Sequence, residues 1–132
     1  MPLPETPVTA AEWPGAKERR RRLAEAVTLI RRLWSEERVT FEGDYYRTDR
    51  ATVYDRPETP VPIYMGASGP IAAKLAGRIA DGYIATSGKD PALYDQLLKK
   101  LGEGAAEAGK DVYFTVAASY DYVITGVAIV GV

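Results

Sequence analysis

Two short stretches carry residue types that can bind an anion. Gly66-Ala67-Ser68-Gly69 is a run of small residues, and Pro70 after it suits the first turn of a helix, where a missing N–H is no loss. A helix start behind such a loop turns backbone N–H groups outward. The helix dipole adds favour for negative charge, so Gly66 to Gly69 can hold a phosphate. An ordinary strand-to-helix loop also uses small residues for tight packing, and the glycines alone favour that reading; the second stretch shifts the balance toward an anion site. The second stretch is Thr86-Ser87-Gly88-Lys89, directly before Asp90-Pro91, which makes an N-cap and first-turn pair. A hydroxyl at Thr86 and an ammonium at Lys89 on one turn, beside a helix start, form a second phosphate clamp.

The elements around these turns follow from periodicity. Val61, Ile63 and Met65 with Tyr64 predict a strand, Pro70 to Ile79 a helix, and Tyr83-Ile84-Ala85 another strand. Leu93, Leu97 and Leu101, with Leu98 and Ala105, mark a helix from Pro91 to about Ala108, and Gly109 is its stop. Upstream, Trp13-Pro14-Gly15 leads into a helix from Ala16 to about Glu37, whose apolar face is Leu23, Val27, Ile30 and Trp34. Val39-Thr40-Phe41, Glu42-Gly43-Asp44 and Tyr45-Tyr46-Arg47 read as strand, turn and strand, with Gly43 at a position expected to need φ > 0. Tyr45, Tyr46 and Tyr54 either line a pocket or serve packing. Residues 112–132 hold one charge, Asp121, and their β-branched and tyrosine content predicts one or two strands rather than a membrane helix. Strands alternating with helices imply a parallel sheet, either open or part of a (β/α) barrel, with both anion-binding turns at the strand C-termini.

Composition narrows the chemistry. The chain has 132 residues, 46% hydrophobic and 27% charged, as in one soluble globular domain, and its net charge of −1 gives no overall pull toward nucleic acid or membrane. Arg19 to Arg22 is a basic run, but the nearby Glu18 and Glu25 and the lack of a second basic cluster read as a solvated helix face. Without cysteine there is no disulfide or thiolate metal site. Without histidine this chain has no zinc site of the histidine type, no Ser-His triad and no histidine general base. Met1 to Ala10 lacks a signal-peptide pattern, and a cytoplasmic location is expected.

The blocks WPGAKERRRRLAEAVTLIRRLW, FEGDYYR and YDRPETPVPIYMGASGPIAAKLAGRIADGYIATSGK, in this order, resemble the deazaflavin-dependent branch of the bacterial luciferase-like superfamily. They are most similar to its glucose-6-phosphate dehydrogenases, which use coenzyme F420, and the match runs roughly from Val8 to Lys110. The resemblance implies an α/β chain holding the second part of a TIM-type (β/α)8 barrel, cut at both ends. It implies F420 as coenzyme, with FMN as the alternative, and a sugar phosphate as substrate. The family's coenzyme-contacting turn falls on Gly66, Ala67, Ser68 and Gly69, and its substrate-side threonine and phosphate-binding lysine fall on Thr86 and Lys89. The half of the family's barrel that supplies the acid and histidine facing the ring, and the proton-handling glutamate, has no counterpart here. On this reading residues 1–11 are an extended segment, 12–110 the partial barrel, and 111–132 a divergent β-rich end. Either the chain keeps the binding turns of a dehydrogenase without its hydride-transfer residues, or it is a non-catalytic structural or interaction module. An open barrel edge would then be covered by a second copy or by a partner chain.

Overall fold

The computed structural model describes residues 13–86, 91–117 and 123–130. Helix α1 (Ala16–Ser35) follows Gly15, which caps it without a side chain. It stops short of Glu37 because Glu36 is extended and its carboxylate is clasped by the Arg32 guanidinium at 2.6 Å. A hairpin of β1 (Val39–Glu42) and β2 (Arg47–Ala51) comes next, antiparallel, with an irregularity between Val39 and Phe41.

Gly43 in the hairpin turn does not take the left-handed conformation expected of it. Among the described residues the positive-φ positions are Arg50, at 46°, and Gly109, at 64°. Gly43 is glycine for a different reason, since an added Cβ would collide with the Glu25 carboxylate reaching across from α1. That carboxylate accepts N–H bonds from Asp44, Tyr45 and Tyr46 at 3.1, 2.9 and 2.8 Å.

The second sheet has the order β3 (Tyr64–Gly66), β4 (Gly82–Thr86), β5 (Val112–Ala117) and β6 (Val123–Val130). β3, β4 and β5 are parallel, as alternation with α2 (Pro70–Ile79) and α3 (Pro91–Ala108) requires, whereas β6 returns antiparallel to β5. Thus Val112–Ala117 and Val123–Val130 are two strands, and the sheet is mixed rather than wholly parallel. β3 begins at Tyr64 instead of Val61 because the bonds just before it leave the ladder pattern. Pro62 has no N–H, and Ile63 donates its own to Asp81 Oδ2 at 2.8 Å while its carbonyl accepts from Asp81 and Gly82.

One face of this sheet is the core. Met65, Tyr83 and Val112 meet Ala76 and Ala80 of the α2 side and Leu101 and Ala105 of α3. The two helices approach closely enough that a Cβ on Gly77 would strike the Leu101 carbonyl, and one on Gly104 the Lys74 carbonyl. Small residues therefore set the spacing between α2 and α3. The other face is open. Tyr64 and Ile84 point there and remain 42% and 38% exposed, and the Tyr64 ring covers Gly82 of the neighbouring strand. α3 ends on Gly109 in a Schellman arrangement, with Gly109 N–H to Ala106 O and Lys110 N–H to Ala105 O, both 3.1 Å. Among the described residues no helix is long and apolar enough to cross a membrane.

Candidate functional site

β3 and β4 are parallel neighbours with Gly66 opposite Ile84, so the loop after Gly66 and the end of β4 at Thr86 lie on the same edge of the sheet. Thr86 is the last residue of β4, paired with Ala117 of β5. Lys89 lies outside the described residues, as do Ser87, Gly88 and the expected N-cap Asp90. The first turn is therefore the part of the candidate site whose geometry is on view.

Three features of that turn bear on anion binding. Gly69, the N-cap of α2, is extended (φ −122°, ψ 158°) and offers no side chain to the first helical N–H groups. Pro70 has no N–H, and Ala73 N–H already bonds to Gly69 O at 2.9 Å, which leaves Ile71 and Ala72 as the first-turn donors without an intrahelical partner. Secondly, a Cβ on Gly69 would meet nothing within 4 Å, and one on Gly66 would meet only the Ile84 carbonyl at 3.8 Å. No internal packing demands glycine at either place, so the tight-packing account of these glycines loses its support. Both glycines leave the backbone beside them open to approach.

The third feature comes from β4. Tyr83, fully buried, donates its hydroxyl to the Ala67 carbonyl at 2.6 Å. Burial, and then the neighbouring Tyr94, push the Tyr83 phenol above its ordinary value, so it stays protonated and remains a donor. All described peptide bonds are trans, and in a trans peptide the C=O and N–H point oppositely. Holding the Ala67 carbonyl on the Tyr83 hydroxyl consequently turns the Ser68 N–H away from that hydroxyl. Ser68 itself is exposed. Sequence reasoning used Tyr83 only as a strand residue; its role depends on β3 and β4 being adjacent.

Two arginines of α1 also reach this place. Arg19 and Arg20, with Ala16 and Leu23, form one wall of a hollow of about 380 Å³ whose other wall is Ser68 to Ala72. Arg19 is steadied by the Pro14 carbonyl at 2.7 Å and lies 5.0 Å from the Trp13 ring centroid. The basic run is thus only in part a solvated face, although Arg21 and Arg22 do pair with Asp44 and Glu18. Tyr45 is covered by the Arg21 and Arg22 guanidinium groups, Tyr54 is 95% exposed, and none of the three hairpin-region tyrosines lines this hollow.

At the opposite end of the strands a second cluster fixes the frame. Asp81 Oδ2 accepts from Ile63 N–H at 2.8 Å and from Arg31 at 3.0 Å, joining α1 to the starts of β3 and β4. Partial burial pushes this carboxyl up, but the Ile63 N–H, Arg31 and Lys110 outweigh it and hold it below its ordinary value.

The profile of the luciferase-like monooxygenase family matches residues 6–131. The chain belongs to this family. Among curated relatives, an F420-dependent glucose-6-phosphate dehydrogenase of Nakamurella multipartita is 63% identical over 109 residues, covering 82% of this chain and 32% of the relative. One from Intrasporangium calvum is 54% identical over 127 residues, covering 90% of this chain and 38% of its own length. Among solved structures, an F420-dependent secondary alcohol dehydrogenase in complex with an F420-acetone adduct superposes with a TM-score of 0.77 at 39% identity, covering 85% of this chain and 35% of the other. Coenzyme F420 dependent tetrahydromethanopterin reductase from Methanopyrus kandleri gives a TM-score of 0.59 at 34% identity, over 72% of this chain and 29% of the other. The chain spans about a third of the length of the curated relatives it matches. With the family shown, the open sheet is an arc of a (β/α)8 barrel, and the exposed face bearing Tyr64 and Ile84 is the barrel's inner face.

Proposed function

We propose that this chain carries the coenzyme-tail turn and part of the substrate face of an F420-dependent oxidoreductase of the glucose-6-phosphate dehydrogenase type. One observation carries the reading: the Tyr83 hydroxyl holds the Ala67 carbonyl and so fixes the peptide next to Ser68, just ahead of a helix start whose N-cap, Gly69, has no capping side chain and open space beside it. Such an arrangement fits a phosphate. Gly66, Ala67, Ser68 and Gly69 are assigned to the coenzyme, and Thr86 with Lys89 to the phosphate of a sugar substrate. The names of the relatives favour F420 over FMN.

Bound F420 would supply the ring that accepts a hydride. Removal of the hydroxyl proton from the sugar needs a base beside it, and this chain has no histidine to offer. The 132-residue chain alone is therefore expected to bind but not to oxidise glucose 6-phosphate; turnover by the pure chain above a no-protein control would contradict this. Binding through the turn is weak, because a helix-terminus interaction contributes about 0.3–1 kcal/mol when exposed and up to ~2 when partly buried, which gives millimolar affinity at best. Titration of ¹⁵N-labelled chain with inorganic phosphate should move the amides of Ala67 to Ala72. Shifts elsewhere with those amides unmoved would defeat the assignment.

A structural role has its own support. β3 ends the strand order, so its outer edge has no neighbour among the described strands, and Trp13, Tyr64 and Ile71 are exposed apolar groups. A second copy or a partner chain that adds a strand beside β3 would extend the barrel wall.

A further inference from the structure

We propose that α1 and the β1–β2 hairpin form a separately packed lobe, and that the Arg31–Asp81 ion pair is the latch that seats this lobe on the sheet. Asp81 is thereby a positioning residue for the Gly66–Gly69 turn, at the far end of the strands. The lobe and its latch stand on packing alone; their effect on the turn rests on the coenzyme reading above.

Two bodies are visible in the packing. The sheet core gathers Met65, Tyr83 and Val112 with the facing residues of α2 and α3. Val27 of α1 and Val39 of β1 are also buried, at 3% and 0% exposure, but neither belongs to that core. Polar bonds divide in the same way. Glu25 and Arg21 of α1 engage the hairpin turn, Arg32 reaches the Thr40 carbonyl at 3.4 Å, and the Thr52 hydroxyl donates to the Glu37 carbonyl at 3.0 Å. Among the described residues, the polar bond that crosses from α1 and the hairpin to the sheet, α2 or α3 is Arg31 to Asp81, at 3.0 Å. The two bodies are joined through residues 52–63, which hold neither helix nor strand.

The boundary between them is poorly filled. Hollows of about 380 and 370 Å³ separate α1 from α2, and one of about 700 Å³ opens between the last turn of α1, residues 56–61 and Asp81. Leu23 and Ile30, on the apolar face of α1, stay 42% and 37% exposed, whereas a stripe seated firmly on a core is covered. Apolar packing therefore contributes little to the seat of α1, which leaves the ion pair to set it. Asp81 is the fixed half: its Oδ2 takes the Ile63 N–H at 2.8 Å, and Lys110, whose ammonium donates to the Ala80 carbonyl, adds a second positive charge nearby. Arg31 is the moving half, carried on α1 about 16 Å from Arg20 at the rise of an α-helix. A helix pinned near one end tilts about the pin. Seating Arg31 thus also sets how far Arg19 and Arg20 stand from Ser68 to Ala72 across the hollow they share. The two side chains of the latch are 39% and 42% exposed, and a pair so wetted shifts an equilibrium by about fivefold at most. Its loss should loosen the lobe and leave the sheet folded.

The test uses the full 132-residue chain, whose lack of cysteine lets two nitroxide labels be placed uniquely, at Arg47→Cys on the hairpin and Lys99→Cys on α3. With the latch intact, the distance between the labels should form one narrow population. Arg31→Met should broaden or shift it, Asp81→Asn should do the same while keeping an acceptor for the Ile63 N–H, and Arg31→Lys should restore most of the narrow population. Inorganic phosphate should bind the turn about threefold more weakly in Arg31→Met, because Arg19 and Arg20 no longer stand over it. A narrow population unchanged in Arg31→Met and Asp81→Asn, a wild type already broad, or an Arg31→Lys chain as broad as Arg31→Met would overturn the latch. So would unfolding of the sheet core in both variants, since the ion pair would then belong to a single body. If the distances respond as stated while phosphate leaves the wild-type turn unmoved, the coenzyme reading falls and the latch stands. If phosphate binds the turn equally well in wild type and Arg31→Met, the positioning role of Asp81 is overturned.

Discussion

Tyr83 joins the buried core to the candidate site through one hydroxyl. Replacing it by phenylalanine keeps the ring that packs against Met65 and Leu101 but leaves the Ala67 carbonyl without its donor. Tyr83→Phe should lower stability by about 1–2 kcal/mol and broaden or abolish the phosphate-induced shifts at Ser68, which denaturant titration and amide spectra would measure. An unchanged Ser68 response would mean that the turn holds its conformation without Tyr83. Sequence reasoning reached Gly66 to Gly69 because small residues before a proline are a local signal. It could not reach Tyr83, Arg19 or Arg20, whose partners are set by strand adjacency and by helix packing. Thr86 and Lys89 were read from a hydroxyl and an ammonium on one turn before a helix start, and the family resemblance gave them their substrate-side role.

Glu25 shows how one carboxylate fixes the relation of α1 to the β1–β2 hairpin. Partial burial pushes it up, but N–H bonds from Tyr45, Tyr46 and Asp44, with Arg21 nearby, outweigh that and hold it below its ordinary 4.5. A depressed carboxyl stabilises the fold fully above its unfolded value and loses that contribution as pH falls through the lower, folded value. Hydrogen exchange at Asp44, Tyr45 and Tyr46 should therefore accelerate, beyond the intrinsic pH effect, as pH drops below about 4.5. Glu25→Gln should remove the pH dependence; protection that persists at low pH would contradict the account. The α2–α3 contact makes a different demand, because a side chain at Gly104 meets the Lys74 carbonyl, and backbone cannot turn aside as a flexible side chain can. Gly104→Val should cost about 1–3 kcal/mol or more, read as a fall in the denaturation midpoint. The three helices were legible from their apolar spacing. The start of β3 was not, because the bond from Ile63 to the Asp81 carboxylate replaces a ladder bond in a way no alternation pattern announces. Gly43 was misread for a similar reason, its purpose being a close approach from α1 rather than a special φ.

The described four-stranded sheet is a barrel arc with one face covered by helices and one open face. Helices cover Met65, Tyr83 and Val112 on the outside, while Tyr64 and Ile84 stay exposed on the inner face. Sequence alternation alone left an open sheet and a barrel as equals, and family membership separates them. Within that arc the Gly66–Gly69 turn is assembled from one strand–loop–helix unit and the strand beside it, so its binding should survive without the rest of the barrel. The most direct measurement is titration of F420 itself into the ¹⁵N-labelled full chain, wild type and Gly69→Val. Gly69 is extended and faces open space, so valine there should leave the denaturation midpoint nearly unchanged while blocking approach to the backbone. The account predicts saturable shifts at Ala67 to Ala72 in the wild type and their loss in Gly69→Val. Wild-type amides that stay still at millimolar F420, or a Gly69→Val chain that binds as well as the wild type, would contradict it.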